Sequence, residues 1–540
     1  MLSFLGLNGF EVHQYAWLSI GFLFFCFSIL AYFRKKDKLA LLSLTLCGAS
    51  LFIFGALLDP YLNLWDERFH ALVALNTKDN FLFPKLYKEA IVPENNYLNW
   101  TSAHVWLHKQ PLFIWQIALC FKIFGVSTFT LRIPSIIMAT LAIPITYRIV
   151  SLLTDSQKGY FSAIAIAFSW FLLNLVSGKG EIDHNDVCFF FYVTASFWAW
   201  IEYIHSGRKL KWIIIAAIFC GGAALTKWLT GLLLYFVWGI YLLSEYKFNI
   251  KEWKINHFAL AILITTTLVV PWQIYTFVQF PEMAKVEHEY NFQHLSSPVE
   301  GHAHSTTFYL RTLPHLFFGF LSLSSTSPIG PKQIITYIIL FTGLITLVLS
   351  LKKNSHKITL LTTLIFVYLF FSLAKTKMVT YPFIVSVIWF ASIGAFIDLI
   401  FRKVLVIIKN RKIYTIIGGI FLLFSALYML NIPRLRIFHT NHFYLHQAMK
   451  WNATVFTKLH DTLPEKCIVF NVATLDSNLT HLYIEASFYT QCDCYPMIPS
   501  QATLEKLKQQ GYSIAVFTQN PLPEEILNDP DIILIHDKYI

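Results

Sequence analysis

Long apolar segments alternate with short polar ones along most of this chain. An apolar run of about 18 or more residues is long enough to cross a bilayer as a helix. The pattern predicts an α-helical polytopic membrane protein, because strands of membrane β-barrels alternate with period two and lack such runs. Segments 111–124 and 310–325 are short and are expected to be tilted or interfacial, which leaves about 12–14 spans. The predicted apolar segments are residues 15–33, 39–58, 111–124, 131–153, 159–176, 187–205, 212–225, 228–244, 257–279, 310–325, 333–351, 358–374, 379–401 and 413–431.

Composition supports this class of protein. Of the 540 residues, 56% are hydrophobic and 14% are charged, whereas soluble proteins have about 25% charged residues. The net charge of +11 is assigned mainly to cytoplasmic loops, since Lys and Arg concentrate there in membrane proteins. We therefore expect membrane lipids as partners and no nucleic acid. The basic stretches are residues 34–38, 208–211, 247–254, 352–357 and 402–412.

The same loops predict the orientation of the chain. No cleavable signal peptide is evident, because the apolar segment 15–33 is followed by Arg34, Lys35 and Lys36 rather than by small residues. It is interpreted as a first span whose amino end is outside. An even number of spans then places both chain ends on the outer side.

Residues 438–540 are polar and mixed, unlike the rest of the chain. Strands are predicted at 466–472, 512–517 and 531–536, and helices at 479–489 and 503–510. We therefore predict a transmembrane domain over 1–437 and a small outer α/β domain over 438–540. In that domain Cys492 and Cys494 are too close in sequence for a mutual disulfide. A bridge from Cys467 to one of them and three free thiols both remain open.

Four polar segments share the predicted outer face and are expected to form one cavity: residues 59–111, 177–186, 280–307 and 375–380. Ionisable groups beside membrane helices indicate a functional site. Asp66 and Glu67 fit a general base for an acceptor, or else the acidic start of a helix. The functional interpretation is favoured, because charge at this depth is costly.

Basic residues at the same face suggest a phosphate site. Lys109 fits a lipid-linked phosphate or an ordinary interfacial lysine, and its neighbour His108 is a candidate for substrate binding. Lys375 and Lys377 oppose the positive-inside tendency, which favours phosphate binding over anchoring.

The loop 280–307 offers weaker signals. Glu287, Glu289, His294, His302 and His304 could hold a divalent cation, although a hydrated loop with unused histidines is favoured. Asp183, His184, Asp186 and Lys227 are further candidates, each equally a buried pair or a cap. With His108, Asp183 and Glu289 are the candidates for substrate binding. Arg132-Ile133-Pro134 is interpreted as a structural turn.

Over about residues 59–430 the chain resembles the membrane glycosyltransferases that use polyprenyl-phosphate sugars. These include the bacterial lipid A aminoarabinose transferases and the dolichyl-phosphate-mannose protein mannosyltransferases, which share the GT-C fold. Each matching motif is weak alone, but their order and spacing are specific. The motifs are Asp66-Glu67, Lys109-Gln110-Pro111-Leu112, Phe124-Gly125, Arg132-Ile133-Pro134-Ser135, Leu225-Thr226-Lys227, Pro271-Trp272, Glu289-Tyr290-Asn291-Phe292 and Lys377-Met378-Val379-Thr380-Tyr381.

The resemblance implies an inverting transfer of a glycosyl group from a polyprenyl (undecaprenyl) phosphate sugar at the outer, periplasmic face of a bacterial inner membrane. The acceptor is a lipid such as lipid A, a protein or another glycan. Asp66 would be the base, Glu67 its support, and Lys109, Lys375, Lys377 and Arg68 the phosphate contacts. No cofactor is implied to be required, and a divalent cation is optional.

The chain departs from the aminoarabinose branch of this family at two positions. Phe69-His70 follow Arg68 where that branch has an Arg-Tyr pair one residue later, and His108 stands where glutamate is common. The departures put the sugar and the acceptor in doubt. A transporter or flippase for a lipid-linked substrate is the alternative, but it predicts charged or broken helices at mid-membrane. A structural or assembly protein would make the paired charges incidental.

Overall fold

The computed structural model of the chain describes residues 9–179, 184–319, 330–405, 408, 410–440, 444–472, 481–518 and 520–536. Helices form most of it. They are α1 (Val12–Phe33), α2 (Asp37–Ala56), α3 (Asp66–Thr77), α4 (Pro111–Phe124), α5 (Thr128–Leu153), α6 (Ser156–Ala167), α7 (Trp170–Ser177), α8 (His184–His205), α9 (Leu210–Lys227), α10 (Leu233–Tyr246), α11 (Ile255–Gln279), α12 (Pro281–Ser296), α13 (Phe308–Phe318), α14 (Pro331–Ser350), α15 (Asn354–Leu373), α16 (Ser386–Leu405), α17 (Arg411–Leu430), α18 (Ile432–Phe438), α19 (Tyr444–Thr462), α20 (Leu482–Thr490), α21 (Gln501–Gln509) and α22 (Glu524–Leu527).

The predicted helical membrane architecture is confirmed, with fewer spans by length than expected. Within the described residues, ten helical stretches are long and apolar enough to cross a membrane, or eleven when the bent pair α6 and α7 counts as one span. Two predicted segments are too short. Helix α4 has 14 residues and α13 has 11, which correspond to about 21 and 17 Å against a bilayer core of about 30 Å.

One long stretch, Leu210–Tyr246, folds back on itself. A 3-10 turn (Trp228–Leu232) separates α9 from α10. The guanidinium of Arg208, just before α9, donates to the hydroxyl of Tyr246 at the end of α10, so both helices run between the same two levels. With the 3-10 turn included, the second pass covers residues 228–246. Counting this stretch as two passes and the bent pair as one gives a path of twelve passes through the described residues.

The helix bundle has two chemically different ends. At one end, Lys353 pairs with Glu245 at 2.5 Å, and the rings of His205 and His356 lie 5.8 Å apart. We call this the basic end, since the stretches 208–211, 247–254 and 352–357 lie there. The opposite end carries Asp59, Asp66, Lys109 and His184, and we call it the site end.

The C-terminal residues form a four-stranded sheet, as the alternating pattern predicted. Its strands are β1 (Cys467–Phe470), β2 (Asp493–Cys494), β3 (Ser513–Phe517) and β4 (Ile532–Ile535), in the order β2-β1-β3-β4 with every neighbouring pair parallel. Strand β1 is buried at all its positions, as expected for a parallel sheet covered by helices.

This sheet domain docks on the site end through α20. Arg68 on α3 pairs with Glu485 on α20 at 2.5 Å, and both side chains are fully buried. The hydroxyl of Tyr489 accepts a hydrogen bond from the backbone N–H of Leu62 at 3.0 Å. Near the N-terminus, Glu11 and Lys450 pair at 3.2 Å. Residues near both ends of the chain therefore lie at the site end.

Candidate active site

Asp66 lies at the start of α3, where the chain turns sharply. The preceding Trp65 has φ +61°, a conformation that is strained for a bulky side chain. Asp66 remains about one-fifth exposed, and its Oδ1 lies 3.4 Å from Nζ of Lys109. Lys109 comes two residues before Pro111, which begins α4 as proline does at a first helical position. The structure thus brings together two predicted site residues.

Glu67 points the other way, into the bundle. Its carboxylate receives hydrogen bonds from Nε of Arg132 at 2.8 Å and from the backbone N–H of Asn63 at 2.5 Å, and it lies 2.8 Å from Nε2 of His184. Burial alone would raise the pKa of Glu67, but the charges of Arg132 and His184 outweigh it and lower the pKa to about 2. Glu67 is therefore an enclosed anion that fixes α3.

A glycine makes this enclosure fit. Gly178, at the end of α7, has φ +72°, and a Cβ there would lie 2.6 Å from Cδ of Glu67 and closer still to the ring of His184. Only glycine allows both this backbone conformation and this close approach.

A second buried cluster surrounds Asp59. Its carboxylate accepts from the hydroxyl of Tyr61 at 3.0 Å, and the ring nitrogens of His439 and His446 lie at 2.9 and 3.2 Å. Nζ of Lys179 lies 3.6 Å away. Burial opposes ionisation of Asp59, but Lys179 and His439 lower its pKa well below its usual range.

Sequence reasoning missed most of this cluster. Asp59 was only the boundary of a loop, and Arg132 was interpreted as part of a turn. Each is nevertheless a charged residue at one end of an apolar run, and such a residue is expected to pair with an oppositely charged group. Their partners lie far away in sequence: Arg132 reaches Glu67 over 65 positions, and His439 reaches Asp59 over 380.

A second ion pair lies beside the first. Nζ of Lys227, at the end of α9, lies 2.5 Å from Oδ1 of Asp186 on α8. The phenol of Tyr381 is close enough to interact electrostatically with Lys109, Asp186 and Asp66. Two carboxylate–lysine pairs therefore face a shared region at the site end.

Helix α12 and the loop after it cover this region. Oε2 of Glu287 lies 3.1 Å from Nδ1 of His108, and the His108 ring stacks on Trp100 with centroids 4.3 Å apart. Tyr290 donates to Glu300 at 2.5 Å. Burial lowers the pKa of His294 to about 4, and the nearby Lys109 and His108 reinforce this effect.

The turn that contains Lys375 and Lys377 is bound through backbone hydrogen bonds to α12 and the loop after it. The N–H of Thr376 donates to the carbonyl of His294 at 3.0 Å, and that of Lys377 to the carbonyl of His302 at 3.1 Å. The Lys377 side chain is buried and donates to the carbonyl of Ala374 at 2.6 Å. Lys375 is exposed. The predicted meeting of loop 280–307 with this turn is found.

Several predicted residues are placed elsewhere. The fully buried pair of Arg68 with Glu485 does not fit a phosphate contact, because using Arg68 there would leave Glu485 buried without its partner. Glu289 is exposed on α12. Asp183 lies outside the described residues.

The cation alternative finds no geometric support. In the part of the chain that the structure describes, no three His, Cys, Asp or Glu side chains converge as metal ligands. Glu287 faces His108, while His304 stacks on Phe308 with centroids 4.1 Å apart.

Two cavities lie at the basic end, away from Asp66. One includes Lys35, Asp37 and Gln157. The other is mainly apolar and includes His205, His356 and Trp200. Neither contains a predicted site residue.

Residues 108–275 match the family described as dolichyl-phosphate-mannose-protein mannosyltransferase. The undecaprenyl phosphate-alpha-4-amino-4-deoxy-L-arabinose arabinosyl transferase of Pseudomonas aeruginosa is 27% identical over 187 residues, which cover 33% of this chain and 32% of that protein. The corresponding enzyme of Pseudomonas savastanoi is 23% identical over 189 residues, 34% of this chain and 35% of that protein. The match thus spans about a third of these relatives.

Solved structures extend the likeness to nearly the whole fold. ArnT from Cupriavidus metallidurans bound to undecaprenyl phosphate superposes with a TM-score of 0.61 at 14% identity, covering 89% of this chain and 88% of that one. The archaeal oligosaccharyltransferase AglB from Archaeoglobus fulgidus, in complex with an inhibitory peptide and a dolichol-phosphate, gives 0.52 at 13% identity, covering 85% and 64%. The chain is therefore a multi-pass membrane protein with the GT-C fold. Its resemblance to the polyprenyl-phosphate-sugar glycosyltransferases is confirmed.

Proposed function

We propose that this protein transfers a glycosyl group, hexosyl or pentosyl, from a polyprenyl-phosphate-linked sugar to an acceptor, with inversion. The observation that carries the proposal is the Asp66–Lys109 pair, held at 3.4 Å beside the Asp186–Lys227 pair. A base for the acceptor and a cation for the leaving phosphate are thus adjacent. The likeness to undecaprenyl phosphate-dependent arabinosyl transferases supports the donor class.

The pair suggests an order of events. A donor phosphate near Lys109 competes with Asp66 for the ammonium group and leaves the carboxylate able to accept a proton. Asp66 then takes the proton of the acceptor hydroxyl or amine while that atom bonds to the anomeric carbon. The bond from this carbon to the phosphate oxygen breaks on the opposite face, so the configuration inverts. The electron pair stays on the phosphate, and Lys109 stabilises its charge. Lys377 would contribute by turning from the Ala374 carbonyl toward the phosphate.

Other residues position these groups. Glu67 acts through α3, since its carboxylate is held by Arg132 and His184 away from Asp66. His108, fixed between Trp100 and Glu287, is a candidate for contacting the substrate. The exposed Lys375 would attract the anionic donor at longer range. The acceptor is a lipid such as lipid A, a protein or another glycan.

We place the protein in a bacterial inner membrane with the site end and the C-terminal domain on the periplasmic side. The basic stretches at the opposite end support this orientation, because Lys and Arg concentrate in cytoplasmic loops.

We propose that no cofactor or metal is required, because the lysines at the site supply the charge that a cation would provide. Treating purified protein with EDTA is expected to change turnover less than twofold. Complete loss of activity that one divalent cation restores would contradict this proposal and return His302, His304 and Glu287 to consideration as ligands.

The function is tested by measuring the release of polyprenyl phosphate from a lipid-linked sugar. The wild type and the Asp66→Asn variant are compared as purified proteins. Loss of the base is expected to lower turnover by about 10²–10⁴-fold. Asp79→Asn is the matched control, because Asp79 is 79% exposed in the same polar segment. A flippase would release no polyprenyl phosphate at all. Wild-type turnover in Asp66→Asn would remove Asp66 from the mechanism.

A further inference from the structure

The three cysteines of the C-terminal domain lie on two neighbouring strands. In the parallel pairing of β1 with β2, Ile468 stands opposite Asp493 and Val469 opposite Cys494. Extending this register by one position, just beyond the start of β2, places Cys467 opposite Cys492. Register partners on neighbouring strands project to the same face of a sheet. Cys467, Cys492 and Cys494 therefore share one face, and all three are buried.

The register separates one pair from the two alternatives. Neighbouring strands lie about 4.8 Å apart, within the roughly 4.4–6.8 Å between Cα atoms that a disulfide spans. The diagonal from Cys467 to Cys494 is about 8 Å from the same spacings, beyond that range. Cys492 and Cys494 lie two positions apart on one extended segment, where their side chains run parallel rather than toward each other.

We propose that Cys467 and Cys492 form a disulfide that fastens β2 to β1. The Cys467 and Cys492 thiols are close enough to influence each other's ionisation. Cys467 lowers the pKa of Cys492, and nearby Lys88 reinforces the effect. The pKa of Cys467 is raised by Cys492 and by burial. Cys492 is thus the better nucleophile of the two.

The chemistry is thiol–disulfide exchange with a small or protein disulfide as oxidant. The Cys492 thiolate attacks the oxidant, forms a mixed disulfide and expels one thiolate. Cys467 then loses its proton and attacks the Cys492 sulfur, which expels the second thiolate. Two electrons pass to the oxidant, which becomes a dithiol or two thiols.

The bond would act on the part of the domain that touches the candidate active site. Residues 468–491, between the two cysteines, include α20, whose Glu485 pairs with Arg68 on α3. Arg68 follows Asp66 and Glu67 on the same helix. Closing this loop restricts the unfolded chain and holds α20 in place against α3.

The test uses the full chain purified in detergent, reduced with dithiothreitol and then oxidised with cystamine. After acid quenching and denaturation, free thiols are alkylated and the peptides are mapped by mass spectrometry. We expect a Cys467–Cys492 cross-linked peptide with Cys494 alkylated, and a rise in Tm on the order of 5 °C on oxidation. Alkylation of both Cys467 and Cys492, or a bridge to Cys494, would overturn the proposal.

Two variants sharpen the result. Cys494→Ser is expected to keep the cross-link and the rise in Tm, whereas Cys492→Ser is expected to lose both. Should Cys492→Ser not fold, the wild type and Cys494→Ser still decide the pairing. Acid trapping of thiols in whole cells is a separate measurement. If the two cysteines cross-link in the purified protein but are reduced in cells, the proposed periplasmic location of the domain is contradicted. The proposed pairing of Cys467 with Cys492 is not.

Discussion

At the scale of single residues, the site depends on close approach around a buried anion. Glu67 accepts from Arg132 and contacts His184 directly above Gly178. The candidate base, Asp66, is the next residue along the chain. The position of Asp66 is therefore set by the contacts of its neighbour Glu67.

Gly178→Ala tests this dependence. The added Cβ would collide with Glu67 and His184 in a backbone conformation with φ +72°, so we expect a large loss of both Tm and turnover. Gly207→Ala is the matched control, because Gly207 has φ +73° and nothing within 4 Å of an added Cβ. It should show only the backbone cost of about 1–2 kcal/mol. Equal effects of the two substitutions on turnover would contradict the positioning role of the Glu67 enclosure.

The sequence revealed charged residues at this scale but not their partners. Asp66 and Lys109 were predicted as site residues and meet in the structure. Arg132 was predicted as a turn and Arg68 as a phosphate contact, yet each is buried against a carboxylate. A single sequence shows that a charge interrupts an apolar run, whereas the identity of its partner depends on packing between distant helices. The assignment of roles to these residues stays a prediction.

At the scale of elements, the contact of α3 with α20 joins the membrane bundle to the C-terminal domain. Burial raises the pKa of Glu485 to about 7, although Arg68 favours the charged form. The ordinary pKa of Glu is about 4.3. The folded protein therefore holds this proton more tightly than the unfolded chain. The resulting stabilisation is complete below about pH 4.3 and is lost as pH rises through about 7.

This group accordingly contributes a loss of Tm between pH 5 and 7.5, which Glu485→Gln should remove. Histidines whose pKa is lowered by burial, such as His294 and His481, act in the opposite direction in both proteins. Glutamine mimics the neutral acid, so the comparison is between slopes rather than between absolute Tm values. Asp493, whose pKa burial raises to about 6, contributes in the same sense as Glu485 in both proteins and cancels in the comparison. Glu505→Gln, at an exposed position of α21, should keep the wild-type slope. Identical slopes in Glu485→Gln and the wild type would show that this pair does not titrate on unfolding.

Element positions were largely predictable because local signals set them. Pro111 begins α4 as expected, and residues 212–225 and 228–244 correspond to α9 and α10. The predicted C-terminal strands at 466–472, 512–517 and 531–536 match β1, β3 and β4. The short strand β2 was missed, since two residues carry no periodicity. The span 379–401 begins instead with a 3-10 turn (Tyr381–Val385) before α16.

At the scale of the whole molecule, charge is divided between the two ends of the bundle. Lysine and arginine stretches gather at the basic end, whereas Asp66, Asp186, Lys109 and Lys227 form pairs at the site end. The path of twelve passes keeps residues near both chain ends on the site side, where Glu11 meets Lys450. The gathering of these charge pairs at one end supports the proposed transferase, since a transporter would need a charged path through the bundle.

The sidedness of this arrangement can be measured with introduced cysteines. Asp79 is exposed in the polar segment at the site end, and Lys251 is exposed in a 3-10 turn (Ile250–Trp253) at the basic end. Each is replaced by cysteine in a separate variant. Because positive residues are retained in the cytoplasm, a membrane-impermeant maleimide added to cells with a permeabilised outer membrane should label Asp79→Cys and not Lys251→Cys. Wild-type protein gives the background from its own cysteines, and lysed cells should label both variants. Labelling of Lys251→Cys alone, with the inner membrane intact, would contradict the proposed orientation. The site end would then face the cytoplasm, and the donor sugar and acceptor would have to be sought there.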